Sequence, residues 1–295
     1  MITIHEPVLL KEVLEYLDPQ PNQNFVDCTF GGGGHALAIL KRTAPQGKLI
    51  GIDWDPQTVQ NSKNQNLILV NGNYKNLTKI INDSGISKIH GILLDLGLSS
   101  DQLEAKDRGF SFQNKGFLDL RFNPQSQDLT AAEILKTYNE QELIKIFKEY
   151  GEEPLAQAIA KKIIAKRRDG QAIETTDMLV QLVSEIYRKK FKNKSRKNPA
   201  TRIFQALRIA VNDEFGNLKS VLPQAIKILA SGGRLAVISF HSGEDRMVKH
   251  FFKNEIKKEL PKIKILTKRP ITPSTEEIKE NPRSRSAKLR VIEKI

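Results

Sequence analysis

Apolar residues recur along this chain in two patterns, short continuous runs and longer stretches with helical spacing. The short runs are typical of parallel strands buried on both faces, and they cover 25–28, 48–53, 67–70, 89–95 and 235–240. Helical spacing predicts helices between them at 7–17, 36–40 and 76–82, with one more opening at 54–56. Strands that alternate with helices predict an α/β fold with a mostly parallel sheet, which two strand-like runs at 263–267 and 288–292 would complete.

The pattern changes after the fourth strand. Only helical spacing is found from Leu129 to about Lys190, and it predicts helices at 131–136, 140–150, 154–168 and 176–190. Two more helices are expected before the fifth strand, one capped by Asn198 and Pro199 and one at 221–229. We therefore predict a Rossmann-like domain formed by 1–112 and 199–295, and an all-helical insertion at 113–198 that recognises the substrate.

A glycine turn follows the first strand. Asp27 ends this strand, Gly31 to Gly34 follow, and a helix comes next, which is the corner that binds nucleotide-like ligands in open α/β sheets. Asp53 ends the second strand ~20 residues later, where an acid can bind a ribose diol. A negative charge at Asp27 disfavours a pyrophosphate and favours a ligand with a cationic end. The turn therefore favours S-adenosyl-L-methionine over NAD, although Asp27 as a plain strand-end cap is the alternative.

Two further predicted strands end in, or are followed by, a residue that could contact a ligand. Asp95 ends the fourth strand, so Asp27, Asp53 and Asp95 are all predicted near the carboxyl edge of one sheet, where ligands bind in such folds. Tyr74 follows the third strand and either stacks on an adenine or is an ordinary packed tyrosine.

The charge of the chain indicates a polyanionic partner. The 295 residues carry a formal net charge of +13 with a pI near 9.6, and 39% of them are hydrophobic, as in globular proteins. The runs 188–197 and 281–290 are rich in cations, although most basic runs are only solvated loops. The residues predicted to bind RNA are Lys192, Lys194, Arg196, Lys197, Arg202, Arg283, Arg285 and Arg290.

Composition also excludes several classes of protein. One cysteine, Cys28, rules out an internal disulfide, a four-cysteine zinc site and a cysteine-held iron–sulfur cluster, and no metal is expected. There is no apolar run of ~20 residues and no signal-peptide pattern, so a cytoplasmic protein without a membrane partner is expected. The oligomeric state stays open, with a homodimer as one option.

Several motifs together resemble a known family. They are 5–10, 27–35, 95–102, 108–112, 150–153, 199–214, 238–246 and 281–290. In this order they are similar to the bacterial MraW family, the ribosomal RNA small subunit methyltransferases of the H type. The resemblance implies a class I S-adenosyl-L-methionine-dependent enzyme that methylates the N4 amine of a cytidine in the decoding region of 16S RNA. It places cofactor contacts on Gly33, Gly34, His35, Asp53, Tyr74, Asp95 and Gln102.

Two positions depart from the family pattern. Tyr74 stands where phenylalanine is usual, and stacking survives that change. Gly243 stands where leucine is usual, which is expected to loosen the start of the following helix and to weaken any positional role of Glu244 and Asp245.

The chemistry of an amine acceptor agrees with these residues. Methylation at carbon 5 of a pyrimidine needs a thiolate, and the only thiol is Cys28 inside the first strand, where a buried packing role is favoured. Candidates to orient the amine or accept its proton are Asp95, Ser99, His241 and Asp245. For His241 a structural hydrogen bond is favoured.

The alternative functions for the protein are an NAD-dependent dehydrogenase, a non-catalytic RNA-binding protein, and a methyltransferase that acts on a different RNA, a protein or a small molecule.

Overall fold

The computed structural model describes residues 7–58, 62, 64–99, 102–103, 105, 107–111, 115–191 and 198–295. The chain forms two compact units. The sheet unit comprises Met1–Gly97 and Phe215–Ile295, and the helical unit comprises Leu98–Glu214.

The sheet unit contains a seven-stranded, mostly parallel sheet. Its strands are β1 (Phe25–Asp27), β2 (Leu49–Asp53), β3 (Leu67–Asn71), β4 (Ile89–Asp95), β5 (Leu229–Ser239), β6 (Ile263–Ile265) and β7 (Lys288–Lys294). Their order is β3-β2-β1-β4-β5-β7-β6. The first five strands are parallel, and β7 pairs antiparallel with both β5 and β6. The predicted α/β fold is therefore confirmed.

Helices connect and cover these strands. The helices are α1 (Leu10–Leu17), α2 (Gly34–Thr43), α3 (Leu77–Ser84), α4 (Ala131–Thr137), α5 (Glu140–Glu149), α6 (Ala156–Arg168), α7 (Thr176–Lys190), α8 (Thr201–Asn212), α9 (Glu214–Ile228), α10 (Ser242–Glu255) and α11 (Thr275–Glu280). Alternate strand residues belong to two separate cores, as the pleat requires: Ile92 and Leu94 pack in one and Leu93 in the other. No helix among the described residues is long and apolar enough to cross a bilayer.

The helical unit has its own core, and it extends beyond the predicted insertion at both ends. Phe110 and Leu118, on the connection before α4, pack in this core together with Ile203 and Leu207 of α8. The unit boundaries therefore lie at 97/98 and 214/215 rather than at 112/113 and 198/199. The difference arises because the predicted boundaries followed local sequence pattern, whereas a unit ends where its apolar side chains stop packing together.

Three local predictions differ from the structure. Residues 54–58 form bends and turns rather than the start of a helix, and 59–61 and 63 lie outside the described residues. The helix predicted to begin with Asn198 as its cap begins at Thr201, and the Asn198 side chain accepts a hydrogen bond from the Ala200 N–H. The turn predicted at 231–233 lies inside β5, which begins at Leu229.

Candidate functional site

The sheet register places three aspartates near the carboxyl edge of the parallel strands. Asp27, the last residue of β1, pairs with Gly51 of β2 on one side and with Leu93 of β4 on the other. Asp53 and Asp95 end these neighbouring strands, so each lies two residues further toward the edge than Asp27. The structure thus brings together the three carboxylates that the sequence predicted at one edge.

The turn after β1 depends on glycine. Gly31 and Gly33 have backbone φ angles of 48° and 76°, which residues other than glycine rarely adopt. A Cβ on Gly33 would also lie 2.7 Å from the ring of Phe30. Gly33 caps α2, which begins at Gly34. The turn therefore leads directly into a helix start, where the first backbone N–H groups have no partner within the helix.

The turn is tied to β2 through Asp53. Its Oδ2 accepts a hydrogen bond from the Gly31 N–H at 2.7 Å, and its Oδ1 accepts one from the Asp55 N–H at 2.9 Å. Burial raises the pKa of Asp53 to about 6, although these hydrogen bonds oppose the rise. Because a carboxylate oxygen can accept more than one hydrogen bond, Asp53 keeps acceptor capacity for the hydroxyls of a ribose.

The Asp27 carboxylate, at the end of β1, is hydrogen-bonded by Thr29. The carboxylate is only 1% exposed, and its Oδ1 accepts hydrogen bonds from the Thr29 N–H at 3.1 Å and the Thr29 hydroxyl at 3.3 Å. The same hydroxyl accepts from the Asp95 N–H at 2.7 Å, which joins the ends of β1 and β4. Burial raises the pKa of Asp27 to about 7, so a nearby cation would favour its ionised form.

The tautomer of His35 follows from its contacts. Its Nε2 lies 3.0 Å from the Val8 carbonyl, which can only accept, so Nε2 carries the proton. Burial lowers the pKa of His35 to about 4, and the ring is therefore neutral near pH 7 with a bare Nδ1. This Nδ1 lies 3.6 Å from Asp95 Oδ2, so the contact is not an ion pair at that pH.

Asp95 has an unused acceptor atom. Its Oδ1 is buried and has no hydrogen-bond partner among the described residues. Burial, followed by the charges of Asp27 and Glu244, raises the pKa of Asp95 well above its ordinary value. Buried polar atoms normally have partners, so an unpaired carboxylate oxygen at a ligand-binding edge is a candidate contact for a ligand or substrate.

Tyr74 begins a short 3₁₀ turn, Tyr74–Asn76, after β3. The Asn73 side chain caps the turn by accepting from the Lys75 N–H at 2.9 Å. The tyrosine ring is half-buried and packs against one core of the sheet unit. Its packing role is thus observed, and stacking on an adenine stays a prediction.

His241 caps α10, as favoured from the sequence. Its Nδ1 accepts from the Glu244 N–H at 3.4 Å, while Glu244 Oε2 accepts from the N–H groups of Phe240 at 2.8 Å and His241 at 3.3 Å. The expected loosening by Gly243 is wrong, because this reciprocal cap is complete. A Cβ on Gly243 would lie 2.6 Å from the Phe215 ring, which fills the space that a larger residue would need.

Asp245 and Arg290 form a buried ion pair. Arg290 Nε donates to Asp245 Oδ1 at 2.7 Å, and Lys288 Nζ lies 3.4 Å from Oδ2. Burial alone would raise the pKa of Asp245, but Arg290 and Lys288 hold it below its ordinary value. The pair joins the first turn of α10 to β7, which explains both residues structurally; roles in catalysis and in RNA binding stay predictions.

The remaining predicted residues lie elsewhere in the chain. Ser99 and Gln102, in the helical unit, bond reciprocally: the Ser99 N–H donates to Gln102 Oε1 and the Gln102 N–H donates to Ser99 Oγ, each at 3.2 Å. Arg202 is exposed in the first turn of α8, and Arg283 and Arg285 are exposed in the 3₁₀ turn Pro282–Ser286. Lys192, Lys194, Arg196 and Lys197 lie outside the described residues.

Two residues of the edge were not predicted from the sequence to act on these aspartates. Thr29 bridges Asp27 and Asp95, and no local pattern signals a hydroxyl that joins two strands. Glu244 lies near enough to Asp95 to raise its pKa. Its signal was present, because an acid three residues after a helix cap is typical of a capping box.

The chain is similar over nearly its whole length to known methyltransferases. A model of the MraW methylase family matches residues 2–295. A ribosomal RNA small subunit methyltransferase H from Thermomicrobium roseum is 46% identical, over 99% of this chain and 94% of the relative. A second protein of that name, from Heliobacterium mobile, is 45% identical over 99% of both chains. A solved rRNA methylase from Streptococcus thermophilus has a TM-score of 0.44 at 12% identity, over 99% of both chains.

Proposed function

Because this chain belongs to the MraW methylase family, we propose that it methylates the N4 amine of a cytidine in the decoding region of 16S ribosomal RNA. The chain is a methyltransferase with S-adenosyl-L-methionine as its methyl donor, as the sequence predicted. The dehydrogenase alternative is thereby overturned. The observation that carries the proposal is the unpaired, buried Oδ1 of Asp95 at the acidic edge of the sheet.

The residues of this edge fit the methyl donor. When bound, S-adenosyl-L-methionine supplies an electrophilic methyl group on a sulfonium, next to an ammonium and a ribose. The turn at Gly31 and Gly33 lets the backbone come close to a ligand, and Asp53 keeps acceptor capacity for ribose hydroxyls. Asp27 is a buried acid and Asp95 a half-buried one, and a neighbouring cation would stabilise the ionised form of each. We assign cofactor contacts to these residues together with Gly34, His35 and Tyr74, and the contact that the family resemblance implies for Gln102 stays a prediction.

Asp95 is the best candidate to accept the proton of the amine. Asp245 already receives hydrogen bonds from Arg290 and Lys288. The Nδ1 of His241 accepts in the cap of α10, so the ring proton is on Nε2, which lies 3.1 Å from Glu244 Oε1. Asp95 Oδ1 is free to accept a hydrogen bond from the exocyclic amine and to take the proton that the amine releases. Holding the amine at ~3–3.5 Å from the methyl carbon is itself worth ~7–11 kcal/mol of the barrier.

The RNA substrate agrees with the charge of the chain. The two relatives are named for the small-subunit ribosomal RNA, and this chain carries a net charge of +13. Arg202, Arg283 and Arg285 are exposed and are proposed to contact phosphates, and the helical unit is proposed to recognise the substrate.

The product nucleoside tests the proposal directly. Labelled methyl transfer to 16S RNA and to small ribosomal subunits, followed by mass spectrometry of nucleosides, is expected to give N4-methylcytidine. Cys28 is 1% exposed and serves only to pack, so Cys28→Ala should fold and keep its transfer rate. A 5-methylcytidine product, or a folded, cofactor-binding Cys28→Ala enzyme without turnover, would overturn the amine mechanism. Methyl transfer to another RNA alone would overturn the substrate.

Asp53→Asn is expected to weaken binding of S-adenosylhomocysteine roughly ten- to hundredfold in calorimetry at pH 8, because a charge-assisted hydrogen bond is worth ~1.5–3 kcal/mol. The pKa of Asp53 is about 6, so Asp53 becomes protonated as the pH falls below 6. The affinity of the parent should then fall toward that of the variant. Asp83→Asn, on the exposed face of α3, is the matched control. Unchanged affinity in a folded Asp53→Asn protein would contradict this role.

A further inference from the structure

An exposed aromatic ring lies among cations at the end of α7. Phe191 directly follows this helix and is 47% exposed. Its N–H donates to the Tyr187 carbonyl at 2.8 Å, so its backbone is fixed to the last helical turn. Arg188, Lys189 and Lys190 are exposed in that turn. The sequence contains no acidic residue from 188 to 202.

The Phe191 ring packs on a tyrosine that is itself hydrogen-bonded to a buried acid. It packs against Tyr187 with the ring centroids 5.6 Å apart and the planes tilted by 44°. The Tyr187 hydroxyl donates to Glu153 Oε1 at 2.7 Å, and Glu153 is only 2% exposed. Burial and the bond to Glu153 raise the pKa of Tyr187 to about 12, with Arg202 opposing the rise, so the hydroxyl stays a neutral donor.

This arrangement matches what single-stranded nucleic acids bind. An aromatic face accepts any base by stacking, and surrounding cations pair with the phosphates on either side. An acidic peptide would use the cations but has no need of the exposed ring. A ring that already packs against a neighbouring side chain gives up less conformational entropy when a base stacks on it.

We propose that Phe191, supported by Tyr187, is a stacking platform for an unpaired base of the RNA substrate. The cations at the end of α7 and Arg202 bind the phosphates next to that base. The proposal rests on the proposed function, because it takes RNA to be the substrate. It adds a base contact to a surface for which charge alone predicted only phosphate contacts.

Stacking and phosphate binding are separated by the salt dependence of the affinity. The probe is a single-stranded RNA of ~16 nucleotides, compared with the same strand without its bases. Phe191→Ala should weaken binding of the intact strand roughly five- to hundredfold with an unchanged salt slope, and Phe191→Trp should keep the affinity. The strand without bases should bind Phe191→Ala and the parent equally. Changing Lys189 and Lys190 to serine should instead flatten the slope by ~0.7 for each phosphate that the protein no longer neutralises.

The platform is refuted if Phe191→Ala, folded by circular dichroism, binds the intact strand as the parent does. It is also refuted if Phe191→Trp loses as much affinity as the alanine variant, or if only binding to assembled subunits weakens, which would indicate a protein contact. Methyl transfer by the parent protein reports on the proposed function separately. An active parent with an unaffected Phe191→Ala removes the platform alone, and an inactive parent removes the function.

Discussion

Replacing Asp95 with asparagine is expected to slow single-turnover methyl transfer by roughly 10²–10⁴-fold, the range that a positioned proton acceptor contributes. The amide keeps an acceptor oxygen of the same size, but it cannot take the proton of the amine. The rate must be measured at saturating cofactor, because Asp95 is also a proposed cofactor contact. Binding of S-adenosylhomocysteine, measured in parallel, separates the two roles, and transfer at the parental rate would contradict the assignment.

The pH profile supplies the control. Transfer by the parent should rise with pH as Asp95 ionises, and this rise should be absent from Asp95→Asn. Glu244 helps to raise the pKa of Asp95, so Glu244→Gln should move the acid limb of the profile to lower pH while its plateau stays near the parental rate. The amide oxygen of glutamine can still accept from the N–H groups of Phe240 and His241. An unshifted limb would mean that another group titrates.

The acidic edge could be predicted from the sequence because each of its parts has a local pattern. Asp27, Asp53 and Asp95 each end a short apolar run, and parallel strands bring their carboxyl ends to one edge. The cap formed by His241 is also local, since its partner lies three residues away.

Contacts between distant segments could not be predicted in this way. Thr29 accepts from the N–H of Asp95, 66 residues later, and this depends on β1 and β4 being neighbours. Arg290 is a similar case, because its place in a basic run suggested a surface residue. In β7, Arg290 lies on the same face as Ile292, which packs in a core of the sheet unit. On that face Arg290 donates a hydrogen bond to Asp245 of α10.

Asp27→Asn is expected to stabilise the cofactor-free protein at pH 8 by up to about 4 kcal/mol. The pKa of Asp27 is about 7 in the folded protein and near 3.8 when unfolded. A raised carboxyl pKa favours folding while the group is protonated, and this advantage is lost as pH rises from about 4 to 7. The uncharged asparagine has no such loss, and its oxygen can still accept both hydrogen bonds from Thr29.

Urea unfolding of both proteins at pH 4 and pH 8 measures this difference. The free energies of unfolding should be similar at pH 4 and should diverge toward pH 8, whereas an equal difference at both values would show that the charge of Asp27 is not the cause. Asp53 and Asp95 also have raised pKa values, so the parent and the variant both lose stability with pH, and only their difference reports on Asp27. The same variant should bind S-adenosylhomocysteine more weakly, because the buried charge that destabilises the empty site is the one that a cationic ligand neutralises.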